Sequence, residues 1–421
     1  MAPRHTTALV LVAAGLALAG AGSDPGSEPA PEGRAPTPTE LVPAVEAAFP
    51  RESYAPGDAA QLVISNRARG ITLQVFRSGP ERTLTRADVT MKGVPVSAKV
   101  AIGSGAGRRG REGRKLAQRS VLSRGFAPRT RVGFAPFVVR PRKLGENRVA
   151  VVLPTLTWQA YNVRDDDGDG EGDSWYAHRH TRTVRLGRPF LSRGVPYNFR
   201  RYDLPFLNWL AWTGREADVL AQADVEAADP RRLAAAYELI VFPGHHEYVT
   251  TREYDAIEGY RDLGGNLMFL SANNFLWRVV REEDTIRKTR LWRELGRPEA
   301  ALIGVQYRMN GTTPRRPWIV RRAAAGSWIF AGTGLKVGSA LARGGVEIDM
   351  VAAPSPPGTQ VLAGIPNLFG PGLTAQMTYY ETEQGAKVFA AGAFYLIRLI
   401  HLDPVIARAV ENLWARLAPR S

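Results

Sequence analysis

One stretch puts the densest set of reactive side chains directly behind an apolar run: Glu238-Leu239-Ile240-Val241-Phe242-Pro243-Gly244-His245-His246-Glu247-Tyr248. An apolar run of this length bounded by Pro-Gly predicts a buried strand of a parallel sheet. Open α/β sheets bind their ligands just beyond the carboxyl ends of such strands. His245, His246, Glu247 and Tyr248 therefore stand where a site is expected. Imidazoles can move protons or bind a metal, and a carboxylate can do either as well. Histidine is otherwise scarce. Five follow the first 21 residues, and four of them lie between positions 178 and 246. His178 and His180 fall in a polar loop and read as surface groups.

Two further strand ends carry polar groups. Thr155-Leu156-Thr157-Trp158-Gln159-Ala160-Tyr161-Asn162 follows one apolar run, and Asn273-Asn274 follows another. Three loops of one sheet edge can thus converge, with Asn273 able to hydrogen-bond a substrate or a ligand. A separate acidic run spans Asp165 to Asp173. Its carboxylates at Asp165, Asp167 and Asp169, its Gly170 and its Asp173 fit the first nine positions of a calcium loop, but the twelfth is Tyr176 rather than a bidentate Glu. Several chemistries are excluded. There is no Cys nucleophile, no Gly-x-Ser-x-Gly elbow, no His-Glu-x-x-His helix and no P-loop.

The elements that must position these groups read as alternating strands and helices. Val149 to Leu153 is a buried-type strand, followed by a long polar loop to about residue 202. Asp203 to Thr213 has helical spacing and stops at Gly214. Ala217 to Leu220 is a strand, Pro230 to Tyr237 a helix and Leu239 to Phe242 the strand above. Thr251 to Leu263 is a helix whose Gly264-Gly265-Asn266 end is a C-cap signal. Leu267 to Ser271 is the next strand. Such alternation predicts a parallel sheet with right-handed crossovers. Trp318–Val320, Trp328–Phe330 and Val346–Ile348 read as strands of an added β element. Met377–Glu381 and Lys387–Gly392 form a hairpin, and residues 403–418 an amphipathic closing helix.

Several of these motifs, in this order, resemble the large (β) subunit of N,N-dimethylformamidase in its C-terminal domain. They are Thr157-Trp158-Gln159-Ala160-Tyr161-Asn162, Tyr202-Asp203-Leu204-Pro205-Phe206-Leu207 with Trp209-Leu210, and Gly244-His245-His246-Glu247-Tyr248. Gly264-Gly265-Asn266-Leu267 with Phe269-Leu270, Met377-Thr378-Tyr379-Tyr380-Glu381 and Gly385–Gly392 complete the set. The resemblance covers about residues 148–400. It implies a glutamine-amidotransferase-like α/β core with helices on both faces of the sheet. It also implies hydrolysis of a small amide at one iron ion, with Tyr161, Tyr202 and Glu247 as ligands. Phenolates and a carboxylate are hard anionic donors that suit Fe(III). His245 or His246 would then move a proton or steady the water. Successive residues past a strand end point different ways, so one of the pair is expected to face the metal. Glu381 is a weaker supporting acid.

Composition sets the frame. The chain has 421 residues and a net charge of +15, mostly from Arg. The densest basic run, Arg108 to Lys115, has interleaved glycines and no aromatics, so it reads as a solvated loop and not as a nucleic-acid patch. Residues 1–21 read as an export signal, with Arg4 and His5 before the apolar run Ala8–Ala19 and a small-residue end. A disordered linker at 22–44 and a β-sandwich domain at 45–146 follow, and the α/β domain occupies 147–421. No Cys is present, so the core or a metal must hold the fold. The expectation is an exported, metal-dependent amide hydrolase with a small-molecule substrate and no transmembrane helix in its mature chain. Iron and calcium are its expected metals, and a homo-oligomer is left open. The rival reading is a non-catalytic extracellular or cell-surface binding protein of the same fold.

Overall fold

The computed structural model describes residues 8–16, 45–66, 71–81, 91, 93–102, 131–176, 180–312, 314–321 and 327–418. The linker at 22–44, the basic run at 108–115 and His178 lie outside these. The chain forms two compact units. The first takes residues 1–142, 158–200 and 281–287; the second takes 143–157, 201–280 and 288–421. The expected boundary near residue 146 is thus crossed twice more, as 158–200 and 281–287 join the N-terminal unit.

The first unit is built on one six-stranded sheet and one two-stranded ladder. These stand where a two-sheet sandwich is expected. Arg131–Val139 pairs with Ser53–Tyr54 on one side and Ala8–Leu16 on the other, and Ala8–Leu16 pairs antiparallel with Ile71–Ser78. The apolar run read as a signal core therefore forms an inner strand of that sheet. A nine-residue run of Ala, Leu and Val broken only by Gly15 satisfies either role, because both require only an apolar stretch.

The second unit carries the parallel sheet. Its strands lie in the order Asp218–Ala221, Val149–Leu153, Leu239–Phe242, Asn266–Phe269 and Lys387–Ala390, all parallel. The sheet then continues antiparallel through Ala375–Glu381, Gln360–Ile365, Arg316–Val320 and Ala340–Met350. The expected hairpin is present, with Tyr380 opposite Val388. Trp328–Phe330, expected as a strand, is a 3₁₀ turn instead, because the Ser327 hydroxyl accepts from the Ile329 N–H and caps it. The long loop after Val149–Leu153 is also more ordered than expected: Thr155–Ala160 is a short helix and Phe199–Asp203 a π-helical turn. Such turns often sit at functional sites.

Local chemistry explains the crossovers. Thr250 caps the Thr251–Asp262 helix through its hydroxyl, which accepts from the Glu253 N–H at 3.2 Å. Gly264 ends that helix at φ 91°, a left-handed position that glycine takes without strain. Tyr254, Ile257 and Tyr260 of the helix face Phe242, Phe269 and Leu233 in one buried core. Each such side chain contributes about 1.5–3 kcal/mol on burial. Phe242 and Phe269, on adjacent parallel strands, stack at 4.7 Å and 7°, so the ends of both strands are fixed together.

The chain runs from Val149–Leu153 outward to Asp218–Ala221, returns to Leu239–Phe242, and then moves on in the other direction to Asn266–Phe269. The order therefore reverses between Val149–Leu153 and Leu239–Phe242. Crevices form at such switch points because the two following loops separate there.

Candidate active site

The loops beyond these strand ends close on one another, and the contacts of this framework lie within the second unit. The Thr157 hydroxyl oxygen accepts from the Glu247 N–H at 3.2 Å and the Tyr248 N–H at 3.4 Å. The Ser271 hydroxyl donates to the Gly244 carbonyl at 2.5 Å, and the His246 N–H donates to the Asn274 side-chain oxygen at 3.1 Å. The Phe275 and Trp277 N–H groups donate to the carbonyls of His246 and Glu247. Three strand-end loops, at 155–157, 244–248 and 271–277, thus form one framework at the switch point, as the sequence pattern predicts.

That framework turns the two histidines in different directions. His245 Nε2 lies 3.2 Å from Glu247 Oε2, and its Nδ1 lies 3.2 Å from the Ala272 carbonyl. Burial alone would lower its pKa, but the carboxylates of Glu347 and Glu247 outweigh burial and bring it to about 9. His245 is an imidazolium at neutral pH, donating from both nitrogens. His246 lies 3.2 Å from Glu253, whose other oxygen accepts from Gln222 at 2.7 Å. Complete burial, with the His245 charge added, pushes His246 down to about 3, so it stays neutral despite that neighbour. The two imidazoles thus differ in charge: His245 sits among carboxylates, while His246 is held against Glu253 and its N–H against Asn274.

Carboxylates concentrate around His245. Glu247 also bonds the Tyr248 hydroxyl, whose pKa is raised well above 10.0 by burial first and Glu247 second. Two acids the sequence reading missed, Glu347 and Asp349, come from the Ala340–Met350 strand. Both are buried. Burial raises Glu347 above the ordinary carboxyl range, opposed by His245 and reinforced by Glu247. Asp349 is raised by burial to about 8. Both of its oxygens accept from the Asn273 N–H at 3.0 Å, which holds Asn273 at φ 55°. The strand bulges between Gly345 and Ile348, with Val346 at φ 72°. That conformation is strained for a β-branched residue, and it aims the neighbouring Glu347 inward. The signal was present in the sequence: acids at 347 and 349 alternate with apolar Val346, Ile348 and Met350, an i, i+2 spacing that puts both on one strand face.

A comparison within the same unit separates this cluster from ordinary buried polarity. Asp218 is equally buried, and its two oxygens accept from the Gly145 N–H, the Asn147 N–H and side chain, and the Tyr237 hydroxyl, all within 3.1 Å. It is a satisfied structural group. Glu347 Oε2 and Asn273 Oδ1 are buried with no partner. Buried acceptors left open in this way are costly unless a ligand, ion or water completes them.

Tyr202 reaches the same place through Phe394. The two rings stack at 4.5 Å and 12°, and Phe394 also packs edge-on to His245 at 5.0 Å. Asp203, next to Tyr202, presses against Gly244; a Cβ on Gly244 would meet Asp203 Oδ1 at 1.9 Å. Glycine is required there to let the Tyr202 segment approach the loop that carries Glu247. A phenol, a carboxylate and an imidazole thus share one buried pocket of neighbours. The excess of buried carboxylates over cationic groups fits a bound metal cation, and the oxygen donors fit a hard one.

The remaining sequence-predicted residues belong to the first unit or to the surface. Tyr161 belongs to the first unit, where its ring packs on Tyr176 at 5.0 Å and Tyr197 at 6.2 Å. Asp165, Asp167 and Asp173, also in the first unit, offer carboxylate oxygens within 4.8 Å of one another. Asp169 is not among them; its Oδ1 accepts from the Glu171 N–H instead. Glu381 is exposed, bonds Tyr379 and pairs with Arg416 at 3.6 Å, so it is a surface acid without a contact to the His245 cluster. His180 is exposed.

The fold and cluster define a class: an α/β protein with acid–base and metal-competent side chains at the switch point of a parallel sheet. Residues 125–403 match the sequence model of the N,N-dimethylformamidase beta subunit-like family, C-terminal domain. The chain belongs to that family. No curated protein matches the chain significantly.

Proposed function

We propose that the protein is a metal-dependent hydrolase of the amide C–N bond of a small molecule, working at the His245–Glu247–Glu347 cluster. The observation that carries this reading is the pairing of an imidazolium, His245, with a buried carboxyl, Glu347, whose pKa is raised and whose second oxygen has no partner. Two titrating groups placed together suit general acid–base work. The family name points to the substrate class, and the switch-point loops support a glutamine-amidotransferase-like arrangement of the core.

The proposed ligands are Tyr202 and Glu247 with Tyr161, as the family resemblance implies, and the metal is iron. When bound, it supplies a Lewis acid that polarises the substrate carbonyl and acidifies water. Glu347 as carboxylate takes the proton of the attacking water. The Asn273 side chain orients the substrate by hydrogen bonding. The His245 imidazolium gives its proton to the departing amine, and the proton held on Glu347 restores it. One water is consumed, and one acid and one amine are released.

Two accessory proposals stand beside this. Calcium is the ion suited to Asp165, Asp167 and Asp173, because millimolar levels outside the cell fill weak oxygen sites. Export is proposed from the N-terminal apolar run, and N-terminal sequencing of the protein from its native host tests it. The main reading is tested with N,N-dimethylformamide and formamide as substrates, by assaying dimethylamine and ammonia release. Activity that tracks iron content and disappears in Glu247→Gln supports it. An iron-free protein that hydrolyses neither amide sinks it and favours a binding protein.

A further inference from the structure

Arg188 is a fully buried guanidinium inside the first unit, with its side chain 0% exposed. One carboxylate, Asp166, approaches it at 3.6 Å. Burial lowers its pKa to about 10, which measures how poorly that partner replaces water. A charge held at this cost is retained for what its donors do. Those donors reach four main-chain carbonyls on two separate segments. Nη2 donates to Gln159 O at 2.6 Å and Asn162 O at 3.2 Å, carbonyls two residues before Tyr161 and one after it. Nη1 donates to Arg164 O at 3.3 Å and Asp173 O at 3.0 Å, the two ends of the acidic loop. Nε adds Gln159 Oε1 at 3.4 Å.

The grip is reciprocal. Gln159 Nε2 donates back to the Arg188 carbonyl at 3.2 Å, and the Asn162 side chain donates to Pro189 O at 2.9 Å while accepting from the Leu191 N–H at 3.4 Å. The acidic loop returns onto the same turn, where the Ser174 hydroxyl and the Trp175 N–H both donate to Ala160 O. Tyr176, which follows that loop, then lies against the Tyr161 ring.

We propose that Arg188 is the positioning residue of Tyr161: its planar fork fixes the 159–162 turn and the base of the acidic loop as one body, and so sets where the Tyr161 phenol stands. The proposal rests on the reading above that Tyr161 is a metal ligand. Only a guanidinium offers five donors in a fixed plane, so lysine, with the same charge, cannot hold both segments.

The test compares wild type with Arg188→Lys in the full chain. Three readouts are followed: iron content, the visible phenolate-to-iron band, and the ¹⁹F spectrum of metal-free protein labelled with 3-fluorotyrosine, with Tyr161 assigned by Tyr161→Phe. The expected result for a folded Arg188→Lys is a displaced or broadened Tyr161 resonance, a shifted and weakened band, and kcat on N,N-dimethylformamide reduced about tenfold with KM unchanged. A folded Arg188→Lys with wild-type resonance, band and kcat overturns the proposal. If Arg188→Lys does not fold, Asn162→Ala is read instead. It removes the Asn162 side-chain bonds and leaves the guanidinium with its four main-chain carbonyls, so an unmoved resonance supports the proposal and a displaced one overturns it. An iron-free wild type sinks the metal reading by itself, and the ¹⁹F comparison still decides whether Arg188 positions Tyr161.

Discussion

Two groups of carboxylates in this protein have the same raw material and opposite physics. In the loop from Asp165 to Asp173, the acids are mostly exposed and turned into their own backbone. Asp165 accepts from the Gly168 and Gly170 N–H groups at 2.6 and 2.9 Å, and these bonds, with Gly168 leading, lower its pKa. Asp167 moves the other way: against a bond from the Asp169 N–H, it is raised by burial and by the neighbouring charges of Asp169, Asp173 and Asp165. At the carboxyl edge of the parallel sheet, Glu347 and Asp349 are buried, and burial raises both. There a proton is gained or lost near neutral pH. Exposure thus separates acids that face solvent from acids shut away beside His245, although both read as acidic in the sequence.

That contrast can be broken at several points. The largest effect is expected from Glu247→Gln, which removes a charged donor while keeping shape: amide hydrolysis should fall to background and iron content with it, while circular dichroism stays unchanged. Retained iron would show that Glu247 is not a ligand. Glu347→Gln should lower kcat by about 10²–10⁴-fold, the range for losing a general acid–base group. It should also erase one limb of the pH–rate profile. An unchanged profile would place the titrating group elsewhere.

Gly244→Ala comes next. Its Cβ would sit 1.9 Å from Asp203 Oδ1, so the Tyr202 segment must move. The cost should be about 1–3 kcal/mol in chemical denaturation, as for other overpacked sites. A neutral result would mean that Asp203 has room to swing away.

Asp349→Asn probes the buried group by pH. An acid whose pKa is raised on folding binds its proton more tightly in the folded state. Its contribution is therefore full at low pH and lost as pH rises toward about 8. His245, raised to about 9, likewise loses its contribution as pH rises through that value. The metal-free protein should melt at lower temperature as pH goes from 6 to 9, and Asp349→Asn should flatten the part below 8. The smallest effect belongs to Asp165→Asn. Without divalent ions it should leave the melting temperature almost unchanged. With millimolar calcium, wild type should gain melting temperature and the variant should not.

The sequence disclosed the parallel core well because its signals are local. Leu239 to Phe242 is apolar and bounded by Pro-Gly, Thr250 and Gly264 punctuate the following helix, and each element appears where expected. It placed His245 and Glu247 beyond a strand end for the same reason, since both closely follow Leu239–Phe242. Glu347 and Asp349 were less visible. They arrive from a strand about 100 residues later, and their importance comes from burial against His245, which only tertiary structure creates. Trp328–Phe330 misled because aromatic β-formers were read without the Ser327 cap that turns them. Ala8–Leu16 carries a pattern that two different fates share, so periodicity alone could not separate them.

The proposed function stands or falls with a metal ion held by Glu247 and Tyr202. The most direct measurement is elemental analysis of purified, untagged protein alongside its visible spectrum, repeated on Tyr202→Phe. The account predicts about one iron per chain and a broad phenolate-to-iron band that weakens or disappears in the variant. Calcium alone, or no metal after growth with iron, would contradict it.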